Sequence, residues 1–155
     1  MINLLKFSCL LLCICFLGAM HPDDPKDRPH HLLTYGTNGS VFHNDDQLFI
    51  GQYNSSLDNG LVYVYSLNEE GNYSKDKILC PIPEAKGYQF GHSIAAHGDY
   101  LVIGAPNRVK SKGKTFLFKK NNFNKWIFQR VLTPKENISR DFGSTVYIDD
   151  KHILI

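Results

Sequence analysis

The sequence repeats itself with a period of about 53 residues. Val41–Pro81 aligns with Ile94–Pro134 without a gap, and nine of the 41 aligned positions are identical. A third copy begins at an offset of 52, where Phe142-Gly143 repeats Phe90-Gly91, and it runs to Ile155. Repeats of this length are typical of arrays in which each copy buries its apolar face against the next. We therefore expect each copy to adopt the same fold and to stack on the next copy over most of the chain.

Each period contains four short runs of alternating or continuous apolar residues, separated by turn residues, and this pattern predicts four β-strands. The strands predicted in the first copy are Ser40–Phe42, Leu48–Gly51, Gly60–Tyr65 and Tyr73–Leu79. Those predicted in the second copy are His92–Ala96, Tyr100–Ile103, Gly113–Phe118 and Lys125–Leu132. Four antiparallel strands in about fifty residues are typical of a β-propeller blade. The predicted fold is all-β, a partial β-propeller of about two and a half blades after an N-terminal signal helix.

The sequence also predicts where the large aromatic side chains lie in such blades. Phe90 and Phe142 fill the space between adjacent blades, while Gly91 and Gly143 let backbones turn or approach each other. Tyr73 and Trp126 are expected to cover the outer part of a sheet with a ring whose polar tip reaches water.

The second copy resembles an FG-GAP repeat. Phe90-Gly91 supplies the first half of the motif and Gly104-Ala105-Pro106 the second, with Gly113 opening the next strand. The third copy has Phe142-Gly143. The first copy keeps Gly51 and Gly60 but departs elsewhere, with Thr37-Asn38 in place of Phe-Gly and Gln52-Tyr53 in place of Ala-Pro. The resemblance implies blades like those of the seven-bladed propeller head of integrin alpha chains, an extracellular adhesion receptor.

The predicted blades cover residues 35–87, 88–139 and 140–155, the third being incomplete. A propeller closes with about 4–8 blades. We therefore expect the chain to be a fragment of a longer protein, and the alternative is assembly of several copies into a ring through open blade edges.

Calcium is expected to be absent, although many family blades hold it in a loop rich in Asp and Asn. Hard cations need several converging oxygen ligands. The loop at 53–59 offers Asp58 as its carboxylate, and the loop at 107–112 is cationic. No cofactor is predicted.

Residues 1–20 have the pattern of a secretory signal peptide, and an uncleaved anchor is the alternative. Lys6 precedes an apolar stretch that ends at the small residues Gly18 and Ala19. Cleavage is expected after Ala19 or Met20, followed by a polar leader at 21–34 rich in Pro, Asp and His. Three of the four cysteines leave with the signal peptide, and Cys80 remains. A missing partner or an inert buried thiol is expected for Cys80, and an intermolecular disulfide is the alternative. The mature chain is predicted to be secreted, with no membrane span.

In an exported chain, four sequons of the form N-x-[ST] are candidate sites of N-glycosylation. Glycosylation is predicted at Asn38, Asn54, Asn72 and Asn137, and unmodified turn residues are the alternative.

No motif predicts catalysis. Asp45-Asp46, Asp99 and Asp149-Asp150 occupy the same predicted hairpin turn in successive copies, where Asp is favoured for local hydrogen bonds. The charge balance of 17 Lys+Arg against 15 Asp+Glu argues against a nucleic-acid binder. The predicted function is a secreted or cell-surface binding module that presents propeller loops to a protein or glycan partner. The alternatives are an accessory domain of a secreted enzyme, such as a glycosylphosphatidylinositol-specific phospholipase, and an inactive relic.

Overall fold

The computed structural model of the chain describes residues 39–44, 46–53, 60–79, 87–107, 112–135 and 141–155. These residues form three antiparallel sheets and contain no helix. The predicted signal peptide and leader lie outside the described residues, as does Cys80.

The first sheet is a four-stranded meander in which each strand pairs with the next one along the chain. Its strands are β1 (Val41–His43), β2 (Gln47–Gln52), β3 (Leu61–Leu67) and β4 (Tyr73–Leu79). Leu48, Phe49 and Ile50 on β2 are all buried although they alternate between the two faces of the sheet. Both faces of this central strand are therefore covered, which explains its continuous apolar sequence.

The second sheet repeats the first. Its strands are β5 (Ser93–His97), β6 (Tyr100–Ala105), β7 (Lys114–Lys120) and β8 (Trp126–Leu132). The register repeats too, because Ile50 pairs with Tyr63 in the first sheet and Ile103 pairs with Phe116 in the second. A bulge falls between Val64 and Tyr65 and again at the equivalent step on β7. The sequence repeat is thus a structural repeat down to individual residue pairs.

The third sheet is small, with β9 (Tyr147–Ile148) paired to β10 (Ile153–Leu154). Strands β1, β5 and β9 contact one another in succession, so the first strands of consecutive sheets are neighbours. Two four-stranded antiparallel sheets with a smaller third confirm the predicted all-β class and are consistent with a partial propeller.

Apolar side chains fill the space between the first two sheets. Phe49, Val62, Val64 and Leu79 of the first sheet belong to one cluster with the buried residues Ile94, Leu101, Ile103, Ala105, Phe116, Phe118 and Trp126 of the second. A second cluster joins the opposite face of the second sheet to the third, through Ala95, Val102, Leu117 and Ile148. We call these two contacts the first and second junctions.

The predicted place of Trp126 is wrong. Its side chain is 2% exposed and packs edge-on against Phe49 of the neighbouring sheet, with ring centroids 5.9 Å apart. Its indole nitrogen is buried and has no hydrogen-bond partner among the described residues. Tyr73, at the equivalent position of the first sheet, is half-buried, and its hydroxyl contacts Nε2 of His43. The Trp126 ring therefore faces the neighbouring sheet, which periodicity alone does not reveal.

Candidate functional site

The motif phenylalanine of the second copy lies in the first junction. Phe90 is fully buried, and its ring packs edge-on against Phe116 of β7 at a centroid distance of 5.2 Å. Its backbone forms a parallel bridge to Gly60, which precedes β3 in the first sheet. Phe142, the equivalent residue of the third copy, is half-buried. Phe90 therefore belongs to the apolar cluster between the two sheets, and its backbone bridges to the first sheet.

The motif glycines Gly91 and Gly143 hold the same backbone conformation at the two junctions, with φ of +87° in each. A Cβ on Gly91 would lie 2.8 Å from the carbonyl oxygen of Leu61, and one on Gly143 would lie 2.5 Å from that of Lys114. A positive φ strains any residue with a Cβ, so both the conformation and the space require glycine.

Four further glycines meet these motifs from the preceding sheet. A Cβ on Gly51 would overlap the carbonyl oxygen of Gly91, and one on Gly104 would overlap that of Gly143. The remaining two, Gly60 and Gly113, approach the carbonyl oxygens of Phe90 and Phe142 in the same way. Each junction is therefore built from the same backbone contacts.

A serine hydroxyl also crosses each junction. Oγ of Ser40 donates to the carbonyl oxygen of Gly91 at 3.0 Å, and Oγ of Ser93 donates to that of Gly143 at 2.8 Å. Neither serine contact was predicted from the sequence. Their signal was present, because they are identical at the repeat offset, one position before the aligned segment.

The Gly-Ala-Pro segment is buried at the end of β6. Ala105 is fully buried, and the carbonyl oxygen of Pro106 accepts a hydrogen bond from the backbone of Gln89 at 3.0 Å. In the first copy the residue at the proline position is Tyr53, whose ring lies 4.8 Å from that of His92. The imidazole of His92 donates through Nδ1 to the carbonyl oxygen of Ser144, 3.2 Å away.

Asparagines shape the turns between the third and fourth strands. Oδ1 of Asn68 accepts a hydrogen bond from the backbone of Asn72 at 2.8 Å, and Oδ1 of Asn121 accepts one from Lys125 at 3.0 Å. Side-chain acceptors of this kind stabilise tight turns. Asn68 and Asn121 occupy the same position in the two copies, so the sequence repeat itself indicates their shared role in the turn.

The hairpin carboxylates accept hydrogen bonds within their own turns or lie beside a histidine or lysine side chain. Oδ1 of Asp149 accepts hydrogen bonds from the backbone of Lys151 at 2.8 Å and of His152 at 2.7 Å, and these bonds lower the pKa of the Asp149 carboxyl. Asp150 lies 2.8 Å from Nε2 of His97. Asp46 lies 3.9 Å from Nζ of Lys120. Within the described part of the chain, no three His, Cys, Asp or Glu side chains are placed to hold a metal ion.

Of the remaining predicted site residues, some lie in the described part of the chain and some outside it. Asn72 is exposed in the turn before β4. The sequon residues Asn38, Asn54 and Asn137 lie outside the described residues, as do Asp45, Asp58 and most of both loops considered for calcium.

No described segment forms a helix with the length and hydrophobicity needed to cross a bilayer. No curated protein matches the chain. Residues 74–118 match the family model for the FG-GAP repeat. The matched segment runs from β4 of the first sheet to β7 of the second, and so contains Phe90-Gly91 and Gly104-Ala105-Pro106. It holds the second-sheet side of the first junction, whose partners Gly51 and Gly60 precede it in the chain. The match to the FG-GAP repeat therefore crosses from one sheet into the next.

Proposed function

We propose that the protein is exported and acts as a propeller-type binding module for an extracellular protein or glycan, and not as a catalyst. The observation that carries the proposal is the FG-GAP match across a junction that the chain then repeats. The sequence resemblance to integrin alpha heads and the signal-like residues 1–20 support the extracellular setting. This is an analogy at the level of the fold, since one fold can host many functions.

Four carboxylates in the described part of the chain are each bonded within a turn or lie beside a basic side chain. Asp149 holds its own turn, while Asp150, Asp46 and Asp76 lie beside His97, Lys120 and Lys125. A general acid or base, most often a histidine or a carboxyl, must lie within hydrogen-bond reach of the proton that it transfers. We propose no cofactor for the module.

Export is tested by expressing the full chain with a C-terminal tag in a eukaryotic secretory cell line. We expect tagged protein in the medium, with an N-terminus at Met20 or His21 by N-terminal sequencing. Intracellular protein that keeps Met1 would contradict export.

Binding is tested with the secreted chain on intact cells and on a glycan array, beside an unrelated secreted protein with the same tag. We expect saturable binding to one of these two probes, equal in calcium and in EDTA. The absence of saturable binding to both would overturn the binding role, and loss in EDTA would overturn the proposed absence of a cofactor.

A further inference from the structure

We propose that Asn72 carries an N-linked glycan, and that the glycan is attached before β4 pairs with β3. This proposal rests on the proposed export, because the acceptor sequon is used only in the secretory pathway. It assigns a covalent modification to the turn between β3 and β4. Nδ2 of Asn72 loses a proton and bonds to the anomeric carbon of the glycan, while the bond from that carbon to the pyrophosphate of a lipid-linked donor breaks and the lipid pyrophosphate leaves.

The folded turn leaves the Asn72 side chain in solvent. Its backbone nitrogen donates to Oδ1 of Asn68 at 2.8 Å, and its carbonyl oxygen accepts a hydrogen bond from the backbone of Asn68 at 2.9 Å. Its side-chain amide makes no hydrogen bond within the described part of the chain, and the residue is exposed. A glycan on Nδ2 therefore fits the native turn without breaking a contact that holds it.

The other two sequon residues belong to β4, the edge strand of the first sheet. Ser74 pairs with Ser66, and Oγ of Ser74 lies 3.4 Å from the carbonyl oxygen of Ser66. The ring of Tyr73 packs against the buried cluster that contains Leu48 and Tyr65. A transferase must hold all three residues in its own active site, which requires freeing the tripeptide from these contacts. Attachment therefore precedes the pairing of β4.

The equivalent turn of the second sheet does not offer the same site. Lys125 and Ile127 occupy the positions of Asn72 and Ser74. Nζ of Lys125 instead reaches Asp76 on β4, at 2.9 Å. This turn therefore offers a glycosylation site in the first sheet and not in the second.

The full chain expressed in secretory cells provides the test. Cleavage after Glu70 and Glu84 releases residues 71–84, in which Asn72 is the only sequon asparagine. We expect this peptide to carry a glycan that peptide N-glycosidase removes. Asn72→Gln and Ser74→Ala should abolish it, whereas Ser74→Thr should retain it.

The outcomes separate the two proposals. An unmodified Asn72 in protein recovered from the medium would overturn the glycan and leave export standing. An unmodified Asn72 in protein that keeps Met1 inside the cell would overturn both.

The timing is tested with unglycosylated protein folded after bacterial expression. We expect microsomes that supply transferase and lipid-linked donor to modify a synthetic peptide of residues 70–76 but not the folded chain. Equal modification of the peptide and the folded chain would overturn the order of events.

Discussion

The closest contacts between sheets are made by backbone, at positions where a Cβ has no room. Gly51 and Gly104 lie against the carbonyl groups of Gly91 and Gly143, so that the sheets approach until main chain meets main chain. Interiors are close-packed, and an added methyl group must displace its neighbours. Here the neighbour is a carbonyl group in a fixed turn, which cannot rotate away as a side chain would.

Gly104→Ala is expected to lower the free energy of unfolding by about 3 kcal/mol, because its Cβ overlaps the carbonyl oxygen of Gly143. Gly98→Ala is the matched control: it has open space around its Cβ and only a left-handed φ of +53° to maintain. Its cost should stay at about 1 kcal/mol. Urea denaturation measures both, and a larger loss for Gly98→Ala would contradict the packing argument.

Ser93→Ala should destabilise the protein by about 1 kcal/mol, since it removes a hydrogen bond to the Gly143 carbonyl across the second junction. Ser40→Ala removes the equivalent bond of the first junction and should cost a similar amount. The two sites belong to different junctions, so their effects should add in the double variant. Chemical denaturation of the three variants measures this, and a neutral Ser93→Ala would show that the hydroxyl is dispensable.

Asp149 should stabilise the third sheet only while it is ionised. Backbone hydrogen bonds from Lys151 and His152 hold the pKa of the carboxyl below its ordinary value of 3.8. A lowered pKa in the folded state means that the stabilisation is complete above the ordinary pKa and is lost as the pH falls through the lowered one. The amide chemical shifts of Lys151 and His152 should therefore titrate with a midpoint below 3.8. In Asp149→Asn this acid titration should vanish, and a native midpoint above 3.8 would contradict the assignment.

At the scale of strands and turns, the sequence predicted the structure closely. The bounds of β4 agree fully, and those of the other strands in the first two sheets agree within two residues. Continuous apolar runs and turn residues are local signals, so a single sequence contains them. Which face of a sheet meets its neighbour is not local, and this is why the place of Trp126 and the serine contacts were missed.

The only tryptophan of the chain makes the first junction observable by fluorescence. Phe49→Ala removes the ring that packs on Trp126, and should cost about 3–5 kcal/mol. It should also increase the quenching of Trp126 emission by acrylamide in the native state. Phe123→Ala is the control, because that side chain is 82% exposed. Quenching unchanged by Phe49→Ala would place the indole outside the junction.

Across the whole molecule, each sheet contacts its neighbour in the sequence, as in other repeat proteins. The first two sheets share a large apolar cluster, whereas the third meets the second through the short strands β9 and β10. Tyr147 and Leu154 on those strands are more than half exposed. Stability should therefore differ along the stack.

Hydrogen exchange followed by mass spectrometry should show this difference. Amides of β2 and β6 are expected to exchange only on global unfolding, and those of β9 and β10 by local opening at lower free energy. Peptides covering residues 47–52, 100–105 and 147–154 measure the three sheets in one experiment. Equal protection in all three would show that the third sheet opens only together with the others.

The boundaries of the FG-GAP segment differ from those of the sheets, because the segment starts in the last strand of one sheet and ends in the third strand of the next. A tandem duplication of one period, wherever its breakpoints fell, would still insert one complete meander and one complete interface. Unequal recombination can therefore lengthen such an array from any breakpoint in the period. The added segment gives the same architecture whichever residue of the period it starts from.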